Sequence, residues 1–303
     1  MERKVKFRSD GYEIAGLMCE PDKATDAGHA AVVLCQGRLG NKEYFWFPRI
    51  ARHLASLGYA ALIWDYRGIG ESEGERDRMY PLEHAEDVQS ALTFIENQPG
   101  VDPRRLALLG YSYGGALVPY VAAIDRRVRC AVSVVGFGDG ERLARSVRRH
   151  AEWLRVLEHI AEDRQSRVLA GTALPTTPED FPPPTSKASD ARLGLKKVPH
   201  MADMRTQNYT LAALAKTIEF QPENMVGRIV GCPMFYVAAG KDTVTPADQV
   251  IEMFRRTSEP KQLWVIPGIE HYNVYEEPYW GQILEATVGW FDQHLKSASD
   301  CDR

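Results

Sequence analysis

The stretch Arg105–Ala116, reading RLALLGYSYGGA, constrains the fold of this chain more than any other. Its apolar run Leu106–Leu109 is bounded by charge on one side and Gly110 on the other, the pattern of a buried parallel strand. Gly110, Ser112 and Gly114 follow in G-x-S-x-G spacing, ahead of the helix-permissive Ala116-Leu117-Val118. A nucleophile on a sharp strand-to-helix turn sits in a strained backbone conformation, and its neighbours two residues away must lack side chains. The helix that follows points its N-terminal N–H groups at whatever Ser112 attacks, which suits a developing oxyanion. Glycine and serine also make ordinary turns; the strand before and the helix after favour a nucleophile elbow.

Strand and helix alternate around this turn. An N-terminal hairpin is expected where Val5 and Phe7 alternate with charge, Ser9-Asp10-Gly11 turns, and Tyr12 to Met18 returns. The apolar run Ala30–Cys35 predicts a buried strand ending in Gln36-Gly37-Arg38-Leu39-Gly40, with a helix from about Tyr44 to Leu57. Tyr59–Trp64 is the next strand, and Pro81 opens a helix that runs to Asn97. Val128–Val135 is a further β-branched run after the elbow helix. Alternation of this kind predicts an α/β fold built on a mostly parallel, doubly wound sheet.

The pattern breaks at Gly136. Residues 141–170 hold seven arginines, with Leu143, Val147, Leu154 and Leu157 forming an apolar stripe, as in an amphipathic helix or helix pair. Residues 171–189 carry five prolines, Pro175, Pro178, Pro182, Pro183 and Pro184, which exclude regular helix or central strand. A second helical piece spans about Asn208 to Phe220. Sheet patterning resumes with Pro233–Ala239, a helix from Pro246 to Arg256, the strand Gln262–Ile266 and a helix from Tyr279 to Leu295. The expected organisation is a core of residues 1–139 and 226–303 with a helical lid inserted at 140–225.

A nucleophilic serine needs a base, and the base needs an orienting carboxylate. Of eight histidines, His271 is best placed, following a strand by the short loop Pro267-Gly268-Ile269-Glu270. His53, His84, His150, His159 and His294 fall in helical stretches, His29 sits at the wrong end of a parallel strand, and His200 lies in the lid. Asp242 ends the strand 234–239 at the carboxyl edge, where open α/β sheets place their sites. Asp139 is its competitor. The oxyanion donors are expected to be the backbone N–H groups of Tyr113 and Arg38, with Gly37 allowing close approach. Gln36 reads as a loop brace, and Gly68-Ile69-Gly70 as structural, since it lacks a phosphate-loop spacing. The underside of the lid is expected to line the substrate pocket through Trp153, Leu154, Leu157, Met201, Met204 and Tyr209, opposed from the core by Tyr44 and Trp46.

Composition limits the partners. The net charge is −4, and no long single-sign block suggests nucleic acid or a membrane surface. No apolar run approaches the roughly 20 residues of a membrane span, and the N-terminus lacks a signal-peptide core. Five scattered cysteines with no C-x-x-C pair favour reduced thiols in a cytoplasmic protein. The partners expected are a small-molecule acyl substrate and, at most, a second copy of the chain as a homodimer.

Four segments together resemble the α/β-hydrolase superfamily: Asp65-Tyr66-Arg67-Gly68-Ile69-Gly70-Glu71-Ser72-Glu73-Gly74, Gly110-Tyr111-Ser112-Tyr113-Gly114-Gly115, Gly240-Lys241-Asp242-Thr243-Val244-Thr245-Pro246 and Gly268-Ile269-Glu270-His271-Tyr272. Asn208-Tyr209-Thr210-Leu211 and His271-Tyr272-Asn273-Val274-Tyr275 are similar to a bacterial and fungal branch of it. That branch is related to X-Pro dipeptidyl-peptidase-like hydrolases and fungal polyketide acyltransferases. The resemblance implies Ser112 as nucleophile, His271 as base, Asp242 as its partner, and no metal or organic cofactor. Gln36-Gly37 departs from the His-Gly of many members, and substrate does not carry over. The expected activity is hydrolysis of an ester, thioester or activated amide through an acyl-enzyme. Acyl transfer or carbon–carbon bond hydrolysis on the same three residues is the alternative, and a non-catalytic ligand-binding relative the third reading.

Overall fold

Period-two alternation on strands covered from both sides organises the molecule. The computed structural model describes residues 1–23, 25, 27–38, 40–43, 46–177, 179–180 and 209–295. Its strands are β1 (Glu2–Ser9), β2 (Tyr12–Cys19), β3 (His29–Cys35), β4 (Ala60–Trp64), β5 (Val101–Tyr111), β6 (Val128–Val134), β7 (Met234–Ala239) and β8 (Lys261–Ile266). They form one sheet in the order β1-β2-β4-β3-β5-β6-β7-β8, antiparallel for β1–β2 and β2–β4 and parallel elsewhere. On β3, Ala31, Val33 and Cys35 enter one core layer, while Ala30, Val32 and Leu34 enter the other. Leu106 and Leu108 of β5 join the first layer, and Ala107, Leu109 and Tyr111 the second. Each large aliphatic side chain buried this way contributes roughly 1.5–3 kcal/mol.

Helices cover both faces. The first layer is closed by α2 (Pro81–Glu96), through Val88, Leu92 and Ile95, and by α3 (Tyr113–Ile124), through Leu117 and Val121. The second is closed by α1 (Trp46–Ser56) and by the C-terminal helix, Tyr279–Leu295. Strand β5 runs well beyond the predicted Leu106–Leu109, because it is central and pairs with β3 on one side and β6 on the other. Its pairing with β3 shifts register between His29 and Ala31, which leaves Pro103 in a stretch that owes no ladder bond to that neighbour.

Between β6 and β7 the described chain forms α4 (Gly140–Ser146), α5 (His150–Ala170) and α6 (Leu211–Ile218). Val156 and Ile160 of α5 pack on Leu211, Leu214 and Ala215 of α6 in a small cluster of their own. Ala213 and Phe220 join the main core instead, so α6 ties the excursion to the sheet. Two backbone bonds close the neck of this excursion: Gly140 N–H to the Phe220 carbonyl and Glu223 N–H to the Gly138 carbonyl, both 2.9 Å. Residues 182–184 of the proline run lie outside the described residues. Among the described residues the remaining α-helices are α7 (Ala247–Arg256) and α8 (Tyr279–Leu295). Among the described residues no helix is long and apolar enough to cross a membrane.

At the carboxyl edge of the sheet, the loops after β3 and β4 are joined through Asp65. Its carboxylate accepts from the Lys42 N–H at 2.5 Å, the Lys42 ammonium at 2.9 Å and the Glu71 N–H at 2.9 Å. The Ser72 hydroxyl donates to the Asp65 carbonyl at 2.6 Å and accepts from Ala15 N–H. Gly68-Ile69-Gly70 thus wraps a carboxylate, a structural role. The Lys42 side chain is only 3% exposed and that of Asp65 fully buried. Lys42→Met is therefore expected to lower the unfolding free energy by about 3 kcal/mol, because the buried carboxylate loses its countercharge. Urea unfolding followed by circular dichroism measures this, and a loss under about 1 kcal/mol would mean that the N–H donors alone hold Asp65.

Candidate active site

Ser112 occupies the turn between β5 and α3 with φ 55° and ψ −117°, a left-handed conformation that costs a non-glycine residue about 1–3 kcal/mol. Its N–H is fixed to the Val134 carbonyl at 2.8 Å. Gly114 has to be glycine: a Cβ there would run into the Cys35 carbonyl and come within 2.6 Å of the Gln36 oxygen. The elbow is thereby pressed against the loop that follows β3.

His271 lies at the start of a short 3-10 turn, His271–Tyr275, and is 3% exposed. Its Nε2 is 3.0 Å from Ser112 Oγ and its Nδ1 2.7 Å from Asp242 Oδ2. Asp242 Oδ1 accepts from the N–H groups of Val244 and Thr245, both at 2.8 Å, which leaves Oδ2 to the imidazole. An Nδ1–H donated to Asp242 leaves the Nε2 lone pair facing the serine hydroxyl, so the imidazole is set to take its proton. The Thr245 hydroxyl is the further neighbour, 3.0 Å from His271 Nδ1 and 2.8 Å from the Val135 carbonyl. Sequence reasoning missed Thr245; the signal was its place three residues past Asp242, where an aspartate turn binds the following N–H groups. Asp139 is elsewhere. It caps α4, accepting from Arg142 N–H at 2.9 Å and from Gln221 at 3.3 Å.

The loop after β3 forms the opposite wall. A Cβ on Gly37 would stand 3.6 Å from Ser112 Cβ and 3.7 Å from Tyr275 Oη, so this stretch of backbone flanks the serine. Gln36 is buried, and its amide donates to the Trp64 carbonyl as a brace between β3 and β4. The exposed Arg38 guanidinium lies 4.7 Å from the centre of the Tyr209 ring, and the Tyr209 hydroxyl bonds Thr217 Oγ1 at 2.6 Å. Beneath the elbow, the buried Tyr113 hydroxyl meets His84 Nδ1 at 2.9 Å, and Tyr66 stacks on His84. Burial pulls His84 down to about 3, so this core imidazole stays neutral, and pushes the Tyr113 phenol well above its ordinary value.

The structure brings Ser112, Asp242 and His271 together, with Tyr113 next in the chain, Gly37 beside the serine, and the Arg38 side chain on the Tyr209 ring. Trp46, expected at the pocket, is buried in the layer of α1 and α8 with its ring 4.9 Å from that of Tyr275, the residue whose hydroxyl lies beside Gly37. Trp153 is buried at the joint of α4 and α5 with Arg145 over its ring, and Leu154 and Leu157 face solvent at 45% and 39% exposure. The apolar stripe expected from the spacing is therefore not the buried one, since Val147, Leu154 and Leu157 are exposed and Val156 and Ile160 meet α6 instead. Tyr44, Met201, Met204 and His200 lie outside the described residues. Among the described residues no group of three or more His, Cys, Asp or Glu side chains is arranged to hold a metal ion.

Known proteins share this architecture. A 31.7 kDa Escherichia coli protein from the traX–finO intergenic region is 30% identical over 273 residues, 88% of this chain and 92% of its own. The polyketide transferase claH of Penicillium crustosum is 26% identical over 98% of both chains. The thiohydrolase aneE of Aspergillus aculeatus is 25% identical over 94% of this chain and 91% of its own. The crystal structure of the α/β hydrolase GrgF from Penicillium sp. sh18 superposes with a TM-score of 0.78 over 98% of this chain and 99% of that one, at 24% identity. The profile of the serine aminopeptidase S33 family matches residues 26–278. That span takes in the elbow, both loops of the carboxyl edge, Asp242 and His271, and the chain belongs to this family of α/β hydrolases.

Proposed function

We propose that this protein is a serine hydrolase that cleaves an ester, thioester or activated amide through an acyl-enzyme. The observation that carries the reading is the relay Ser112 Oγ–His271 Nε2–Asp242, at 3.0 Å and 2.7 Å, on a strained elbow. In this reading His271 takes the Ser112 proton as the oxygen attacks the carbonyl, and Asp242 stabilises the imidazolium that forms. The backbone N–H groups of Tyr113 and Arg38 receive the oxyanion, and His271 passes its proton to the leaving group. His271 then activates water, which releases the acid and restores Ser112. No metal or organic cofactor enters. The free, buried thiols of Cys19, Cys35, Cys130 and Cys232 fit a cytoplasmic protein.

The thiohydrolase relative favours a thioester as substrate, and the polyketide transferase relative favours a second reading, transfer of the acyl group to an acceptor other than water. Product analysis with an added alcohol or amine distinguishes them: hydrolysis yields the free acid, transfer the new ester or amide. Residues 140–225 act as the lid in both readings, with Tyr209 as its contact beside the oxyanion loop.

Ser112→Ala should lose about 10⁴-fold or more in kcat on a p-nitrophenyl ester and stop labelling by a fluorophosphonate probe. More than a tenth of wild-type activity in the purified variant would rule out the serine mechanism. Asp242→Asn should lose about 10²- to 10⁴-fold in kcat, whereas Asp139→Asn, whose amide oxygen can still cap α4, should stay within a few fold. The opposite ranking would transfer the role to Asp139. Tyr209→Ala should change the ratio of kcat/KM between a short- and a long-chain ester by more than about twofold, a difference of roughly 0.4 kcal/mol. A ratio inside that band removes Tyr209 from substrate selection.

A further inference from the structure

We infer that Thr245 is a positioning residue for His271, a second oxygen acceptor on the Nδ1–H whose polarity is set by a strained carbonyl at Val135. The inference rests on the relay proposed above. Thr245 is 4% exposed, and its hydroxyl touches three groups: the Val135 carbonyl at 2.8 Å, His271 Nδ1 at 3.0 Å and Asp242 Oδ2 at 3.1 Å. A hydroxyl has one proton and two lone pairs. Asp242 Oδ2 already faces the Nδ1–H at 2.7 Å, so Nδ1 is a donor and the Thr245 oxygen accepts from it. The proton of Thr245 goes to its shortest partner, the Val135 carbonyl, which has no hydrogen to offer in return. The Nδ1–H is therefore shared between two oxygens, and the lone pair of Thr245 is aimed at it before any substrate arrives.

Val135 supplies the independent sign that this arrangement is built in. It is a buried, β-branched residue at φ 44°, a left-handed conformation that such side chains avoid. Its N–H continues the ladder to the Val237 carbonyl at 2.8 Å, while the following peptide swings out of the strand and turns its carbonyl toward Thr245. The backbone is thus strained at the residue whose carbonyl orients the threonine. Thr245 itself is tethered twice, since its own N–H binds Asp242 Oδ1 at 2.8 Å. When His271 takes the Ser112 proton and becomes an imidazolium, its Nδ1–H faces two preoriented oxygens at no reorganisation cost, as electrostatic catalysis requires. Asp242 is the charged group facing this ring among the described contacts; Thr245 adds a dipole without a second charge.

Thr245→Ser and Thr245→Ala differ by one oxygen, so comparing them separates the hydroxyl from the packing. Steady-state kinetics on a p-nitrophenyl ester are expected to show kcat at least about fivefold higher for Ser than for Ala, with KM values of the two within about twofold. Thr245→Val, which keeps the shape without the hydroxyl, should fall with Ala rather than with Ser. Equal kcat for Ser and Ala, or Val faster than Ser, would overturn the inference and leave Thr245 a packing residue. Melting temperatures of the three variants identify any that misfolds, and the Ser–Ala pair decides the matter without Val. Ser112→Ala runs in parallel. If it is inactive while Ser and Ala at position 245 are equal, only the Thr245 inference fails; if it remains active, the relay itself fails.

Discussion

The contact on which the site depends is backbone against backbone, Gly114 of the elbow against the carbonyls of Cys35 and Gln36. It exists because β3 and β5 are neighbours in the sheet although an entire strand and two helices separate them in sequence. The right-handed crossovers of a doubly wound sheet produce that adjacency, and the missing side chain turns adjacency into contact. With the loop after β3 pressed against the elbow, its backbone at Gly37 lies beside Ser112. Asp65 holds the far side of the same loop through Lys42, so the wall opposite His271 is fixed at both ends.

Ser112, Thr245 and Asp242 are each held by a backbone partner as well as by the side chains of the relay. Ser112 N–H is held by Val134, Thr245 by Val135, and Asp242 by the N–H groups of its own turn. Such partners do not change rotamer, and those at Val134 and Val135 sit at the end of a strand covered on both faces. Precision in the site is therefore inherited from the sheet rather than built by side-chain packing around it.

What could be read in the sequence follows this division. Residues whose place is set by backbone geometry left a local mark: glycines spaced around Ser112, an aspartate just past the end of β7, a histidine a short loop past β8. The strands were legible because a strand covered on both faces reads as a continuous apolar run, as Ala30–Cys35 does. Side chains placed by packing between distant segments left no such mark. The packing of Trp46 on the Tyr275 ring is such a contact, joining segments far apart in the chain with nothing in either to announce the other. The left-handed backbone of Val135 was equally hidden, since a valine ending a β-branched run looks like any other strand residue.

The two bonds at the neck of the excursion between β6 and β7 have a consequence for how this chain can change. Gly138 and Gly140 are already held to Glu223 and Phe220, so the two ends of the intervening chain are pinned side by side, and the entropy of closing it grows only slowly with its length. Doubling the length of that intervening chain would add only about 0.6 kcal/mol of closure cost. The neck therefore uncouples the length of the excursion from the register of β6 and β7, which pair with each other directly below it.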